Sequence, residues 1–166
     1  MPSVSLPSVS LRPLTDEEYA GYRPLAVAKT VAELVRGRGM PPEVARQRAE
    51  DGLPATLADL LAVEGASISR VLGDSGDPVG WLWLGTATAG GDGLWVFDVE
   101  IDEPYRGQGL GRATMLAAEE AARDRGFSVL RLNVFGSNTT AAALYRSLDF
   151  QVDAAQLSKR LDDPPR

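Results

Sequence analysis

Two spacings of apolar residues alternate along this chain, and each change of spacing marks the edge of an element. Val9 and Leu11 alternate with polar neighbours and predict a first strand over 9–13. Thr15 and Glu18 form a capping-box pair, which predicts a helix beginning at Asp16. Val27, Val31, Leu34 and Val35 follow at helical spacing as far as Arg36, with Gly37 and Gly39 as the stop. Pro24 falls inside this pattern and either kinks one helix or divides two. A further helix is expected over 43–50, opened by Pro41-Pro42 and closed by Gly52, Leu53 and Pro54. Leu57, Leu60 and Leu61 fit a short helix or an irregular segment equally well.

Period two takes over at 67–72 and returns at 79–86, with the turn Gly73-Asp74-Ser75-Gly76-Asp77-Pro78 between, so a hairpin is expected. Trp81 and Trp83 share one of its faces, where packing is favoured over a substrate cage because aromatic rings bury so much area. A glycine-rich turn at 89–93 leads into a strand over 94–101. Strict alternation puts Trp95, Phe97, Val99 and Ile101 on one face, and Asp98 and Glu100 on the other with Leu94 and Val96. Leu110 to Arg125 is helical, Gly126 ends it, and 128–135 is a strand, which implies parallel strands joined by a right-handed crossover. Asn138 caps a last helix whose buried side is Ala141, Leu144, Tyr145 and Leu148. The tail over 151–161 is expected to add one or two strands, and the fold class is α/β (α+β).

Composition narrows the chemistry. The 166 residues suit one domain over 1–166, with 1–7 and 162–166 as loose ends. A net charge of −6 argues against nucleic acid as a partner, since lysine and arginine must neutralise phosphates there. The absence of cysteine and histidine excludes disulfides, thiolate nucleophiles, the usual zinc sites and Ser-His triads, so no metal is expected. No apolar run approaches the roughly eighteen residues of a membrane span, and a cytoplasmic protein is the expectation.

The run from Leu94 to Arg112, LWVFDVEIDEPYRGQGLGR, is a strand, a turn and a glycine-studded helix start. Such a turn offers unpaired N–H groups and the positive end of a helix dipole to an anion. A dinucleotide fingerprint would need a third glycine where Arg112 stands and an acid in the strand near Val129 to Arg131, where none occurs. A Walker-type loop needs Gly-Lys-Ser/Thr, which is missing.

Arg106-x-x-Gly109-x-Gly111 after a strand resembles the acetyl-CoA motif of the GNAT-type N-acetyltransferases, Gln/Arg-x-x-Gly-x-Gly/Ala. The run from Asn138 to Phe150 resembles that family's second motif, Asn-x-x-Ala-x-x-Leu-Tyr-x-x-x-Gly-Phe, with Asp149 in place of glycine. Aspartate is among the few residues that visit the left-handed region, so the helix can still end there. The resemblance covers about 79–161, the acetyl-CoA-binding core, and leaves 8–78 as the acceptor-side half. It implies a mixed central sheet of six to seven strands with helices on both faces.

The resemblance also implies roles. Acetyl-CoA would be the cosubstrate, its diphosphate held by Arg106, Gly107, Gln108, Gly109, Leu110, Gly111 and Arg112, and its arm by the backbone of Val99 and Ile101 and by Asn138. Tyr145 would contact the cofactor and protonate the departing thiolate, although a tyrosine at such a position is otherwise a packed residue. Glu100 would take the amine's proton directly or through water, with Asp98 as the alternative; as a bare observation it is a solvent-facing strand carboxylate. Direct transfer to a primary amine in a ternary complex is the expected reaction. A GNAT-fold module that binds acyl-CoA without catalysis is the alternative, and the protein is expected as a monomer or homodimer.

Overall fold

The computed structural model describes residues 7–87, 93–159 and 161. Its elements are β1 (Ser10–Pro13), α1 (Asp16–Arg38), α2 (Pro42–Gly52), α3 (Leu57–Leu61), β2 (Ser67–Leu72), β3 (Pro78–Gly85), β4 (Gly93–Ile101), α4 (Leu110–Asp124), β5 (Val129–Leu132) and α5 (Thr139–Arg146). The five strands form one sheet in chain order. β1 to β4 are antiparallel neighbours, and β5 lies parallel to β4. The mixed sheet with flanking helices is as expected, but with five strands among the described residues rather than six or seven.

The missing strands are those expected from the tail. Among the described residues, 151–159 and 161 form no strand, and Val152, Leu157 and Leu161 are exposed. The tail lacks the alternation that would bury one face, and β5 offers a partner edge of only four residues. The expected loose ends lie largely outside the described residues, as does most of the 89–93 turn.

α1 begins as predicted. The Thr15 hydroxyl accepts from Glu18 N–H, and the Glu18 carboxylate accepts from Thr15 N–H at 3.0 Å. Pro24 neither ends nor divides the helix. Pro24 and Ala20 are both exposed, so water can take the Ala20 carbonyl that loses its donor. On the inner side, Arg23 donates to the carbonyls of Pro54 (2.9 Å), Leu53 (3.2 Å) and Glu50 (3.4 Å), tying α1 to the end of α2.

The sheet carries a core on each face. On one, Tyr19, Tyr22, Ala26, Val27 and Leu34 of α1 pack with Ala49, Leu57, Leu60 and Ile68, and Trp81 and Trp83 lie against them. On the other, Met115, Ala118 and Ala122 of α4 pack on Val71, Leu82, Leu84, Leu94 and Val96, joined by Val99 and Ile101. Each fully buried large side chain here contributes on the order of 2–3 kcal/mol.

The predicted faces of β4 need correction. Trp83 pairs with Asp98 but Leu84 with Val96, so Phe97 is an extra residue and the ladder is bulged. The bulge resets the alternation. Leu94 and Val96 therefore face α4 together with Val99 and Ile101, while Asp98 and Glu100 turn to the α1 side. No apolar pattern announces an inserted residue, because the strand is hydrophobic on both faces.

Candidate active site

β4 and β5 part company at the bulge. Their pairing runs only from Gly93↔Val129 to Val96↔Leu132, although a longer second strand, to Phe135, was expected. Beyond it, Asp102 N–H donates to Val79 O at 2.8 Å, which fixes the outward sense of the chain. By alternation the backbone of Val99 and Ile101 points away from β3, into the opening left by β5. Arg106 Nε donates to Ile101 O at 2.8 Å from that side. The opening is lined with backbone donors and acceptors that no strand completes.

The glycine turn stands at its mouth. Gly107 and Gly109 have φ of +74° and +82°, which a side chain would strain, and Gly109 is the N-cap of α4. No side chain caps α4, and the N–H groups of Gly107 to Arg112 find no acceptor among the described residues. Pro7 packs against Gly109 through its ring carbons, with Cγ 3.2 Å from where a Cβ would stand, and no hydrogen bond joins the two. Gly111 lies beside Leu144 and Ile101, which brings the start of α4, the end of β4 and α5 to one place.

The predicted residues fare differently within this frame. Gln108 donates to Pro104 O at 3.1 Å, and Arg112 to the Ser147 hydroxyl at 2.9 Å, pinning α4 to α5. Leu110 is buried in the core, so only its backbone faces the turn. Asn138 caps α5, its side-chain oxygen accepting from Ala141 N–H at 3.1 Å. Tyr145 is half-buried beside Phe150, ring centroids 5.7 Å apart, and its hydroxyl makes no hydrogen bond among the described residues. Burial raises its pKa, with Lys29 opposing and Asp98 adding to the shift. Its hydroxyl therefore lies within electrostatic reach of the α1 side and stays protonated near neutrality. Asp149 takes φ 64°, the left-handed value expected where the family carries glycine.

Sequence reasoning missed what α1 contributes. Lys29 Nζ lies 2.7 Å from Asp98 Oδ1 and 2.9 Å from Glu100 Oε2, while Tyr22 O–H donates to Asp98 Oδ2 at 2.7 Å. Arg106 Nη2 holds the other Glu100 oxygen at 3.2 Å. Burial pulls the Lys29 pKa down, but the two carboxylates overcome it and leave it raised, so the ammonium persists. Burial raises the Tyr22 pKa, and Asp98 raises it further. Next along the sheet, the Arg70 guanidinium lies 3.7 Å from the Trp81 ring centroid and 2.8 Å from Asp102. A signal for Lys29 did exist: it is one of two lysines in an arginine-rich chain, and it follows Tyr22 by two helical turns.

A cavity of about 350 Å³ lies between α1 and α2, lined by Arg23, Val27, Val31, Arg46 and Glu50 among others. It offers none of the turn's unpaired N–H groups and lies apart from Tyr145, so it is not the candidate site.

The sheet thus splits beyond Val96↔Leu132, and a glycine turn with no side-chain cap stands at the mouth of the split. The sequence model of the acetyltransferase (GNAT) family matches residues 32–150, and the chain belongs to that family. It is an acyltransferase by that membership and by its relatives. YycN of Bacillus subtilis (strain 168), an uncharacterized N-acetyltransferase, is 28% identical over 155 residues, covering 93% of this chain and 99% of its own. The crystal structure of YycN superposes with a TM-score of 0.83 over 94% of this chain and 100% of that one. Mycothiol acetyltransferase of Nocardiopsis dassonvillei is 31% identical, with 97% of this chain matching 52% of that protein. The fold is also shared, at 13% identity and a TM-score of 0.56, with AAC(6')-Iy bound to the bisubstrate analogue CoA-S-monomethyl-acetylneamine, over 92% of this chain and 97% of that one.

Proposed function

We propose that this enzyme moves an acetyl group from acetyl-CoA to a primary amine by direct attack in a ternary complex. The observation that carries the reading is the opening between β4 and β5, with the unpaired N–H groups of Gly107 to Arg112 at its mouth. The residues fit the cosubstrate. Six consecutive free N–H groups and the α4 dipole suit a diphosphate, and Arg106 and Arg112 flank them in the chain. The strand edge at Val99 and Ile101, which no strand pairs and where Arg106 holds only the Ile101 carbonyl, suits the amides of the pantetheine arm, laid down as a strand would be.

Acetyl-CoA supplies an activated acyl carbon and a thiolate leaving group. This chain's residues do the rest. A backbone N–H of β4 at the opening polarises the thioester oxygen. Tyr145, protonated by virtue of its burial, gives its proton to the departing sulfur. A carboxylate on the α1 side of the sheet, where Asp98 and Glu100 stand, takes the proton of the incoming ammonium.

The test combines calorimetry with thiol release over a panel of thialysine, neamine and a peptide with N-terminal alanine. Acetyl-CoA binding with release of free CoA in the presence of one acceptor is expected, and Gly109→Glu, checked for folding by circular dichroism, abolishes the binding. Binding without any thiol release would leave an acyl-CoA-binding module; no binding would overturn the reading.

A further inference from the structure

We propose that Glu33 is the carboxylate that takes the proton from the acceptor's ammonium group. This rests on the transferase reading above and goes beyond it by choosing among the acids on the α1 side.

The path of α1 carries the assignment. Tyr22 and Lys29 touch Asp98 and Glu100, so those turns of the helix lie over β4. Further along, Gly37 lies against Phe135, where an added Cβ would come within 2.8 Å of the ring, and the Arg38 guanidinium stands 5.8 Å from the same ring's centroid. Phe135 follows β5, on the far side of the opening. α1 therefore bridges the gap from β4 to the segment after β5. Glu33 lies four residues after Lys29 and four before Gly37, on the same helical face and about 6 Å along the axis from each. It stands at mid-span, over the place where the strands separate.

The neighbouring acids are already engaged. Asp98 holds Lys29 and Tyr22, and Glu100 holds Lys29 and Arg106, so each oxygen of both carboxylates has a donor. Glu33 is half-buried and makes no hydrogen bond or ion pair among the described residues. The charged groups facing it are Lys29 and Arg36 on its own helix and Asp98 and Glu100 on β4. Burial, first, raises its pKa above the usual carboxylate range, Asp98 and Glu100 add to this, and Lys29 and Arg36 oppose it. A carboxylate raised in this way is a stronger base than an ordinary one.

The protons balance. The ammonium passes one proton to Glu33, and the freed nitrogen forms the C–N bond to the acetyl carbon. The C–S bond breaks and the sulfur leaves with the proton of Tyr145. The nitrogen's second proton restores Tyr145 through water, Glu33 returns its own to solvent, and one proton is released per turnover.

The experiment compares Glu33→Gln, Glu33→Asp and Glu100→Gln by thiol release with the amine panel, measuring kcat and KM between about pH 5 and pH 10. Glu33→Gln is expected to lower kcat about a hundredfold or more and to remove the acidic limb of kcat/KM. It should leave the thermal midpoint and acetyl-CoA affinity unchanged, and Glu33→Asp should restore part of the rate. Wild-type kcat with the wild-type acidic limb in Glu33→Gln would overturn the assignment, as would loss of that limb in Glu100→Gln alone. If no amine in the panel is turned over, the same comparison is made on acetyl-CoA hydrolysis, where water needs the same base. Bound acetyl-CoA with neither reaction would remove the transferase reading itself, and Glu33 with it.

Discussion

Lys29→Met removes the cation that Asp98 and Glu100 share while keeping the length of the side chain. The variant leaves Asp98 with only the Tyr22 hydroxyl and Glu100 with only Arg106. Side-chain exposure is 35% for Lys29, 16% for Asp98 and 35% for Glu100, so the group is neither a surface pair nor a dry one. Exposed pairs contribute about 0.2–1 kcal/mol, whereas stripping one partner from a buried pair costs about 3–5 kcal/mol. The geometry falls between, and a loss of about 2 kcal/mol is expected. For a chain of this size that is about 4–8 °C in Tm. Because the folded pKa of Lys29 is raised, its stabilisation is fully present below the unfolded value of about 10.4 and is lost only as pH rises through the folded value. The difference between wild type and variant should therefore stay flat from neutrality to about pH 10. Urea denaturation, in a double-mutant cycle with Asp98→Asn, measures the coupling directly. A loss below about 0.5 kcal/mol, or no coupling to Asp98, would refute the idea that Lys29 neutralises this face.

Three further outcomes follow from other contacts. Tyr145→Phe should lower kcat by about a hundredfold or more while acetyl-CoA affinity holds, and unchanged turnover would take Tyr145 out of the reaction. Gly80→Val should cost at least about 3 kcal/mol by urea denaturation, because a Cβ there would overlap the Glu100 carbonyl oxygen. The Glu18 pKa is lowered to about 2, first by its hydrogen bond from Arg12 and then by Thr15 N–H. Its contribution is thus present above the unfolded value of about 4.3 and is lost as pH falls through about 2, so the protection of first-turn α1 amides relative to their intrinsic exchange should fall with acid, and Glu18→Gln should remove that dependence.

Most of the fold was legible because its signals are local. The Thr15–Glu18 box, the Gly73–Pro78 turn and the Leu110 stripe each act within a few residues, and the elements they mark stand within a residue or two of their expected places. Pro24 left one helix or two open, because its cost depends on whether the orphaned carbonyl meets water, a tertiary fact; the helix is one. The bulge at Phe97 misled because an inserted residue leaves no mark in a strand that is apolar on both faces. The turn glycines and Tyr145 were legible as motif; Lys29 left only the mark of being one of two lysines and Glu33 none, since their meaning depends on α1 crossing the sheet at β4. Arg106 was expected at a diphosphate, and here it folds back onto Glu100 and the Ile101 carbonyl.

The measurement closest to the central claim is a titration of the isotope-labelled protein with acetyl-CoA, followed by amide chemical shifts. Large shifts at Gly107, Gly109 and Gly111, with smaller ones at Val99 and Ile101, are predicted. Shifts confined to the α1–α2 cavity around Val27 and Arg46, or none at the glycine turn, would contradict it.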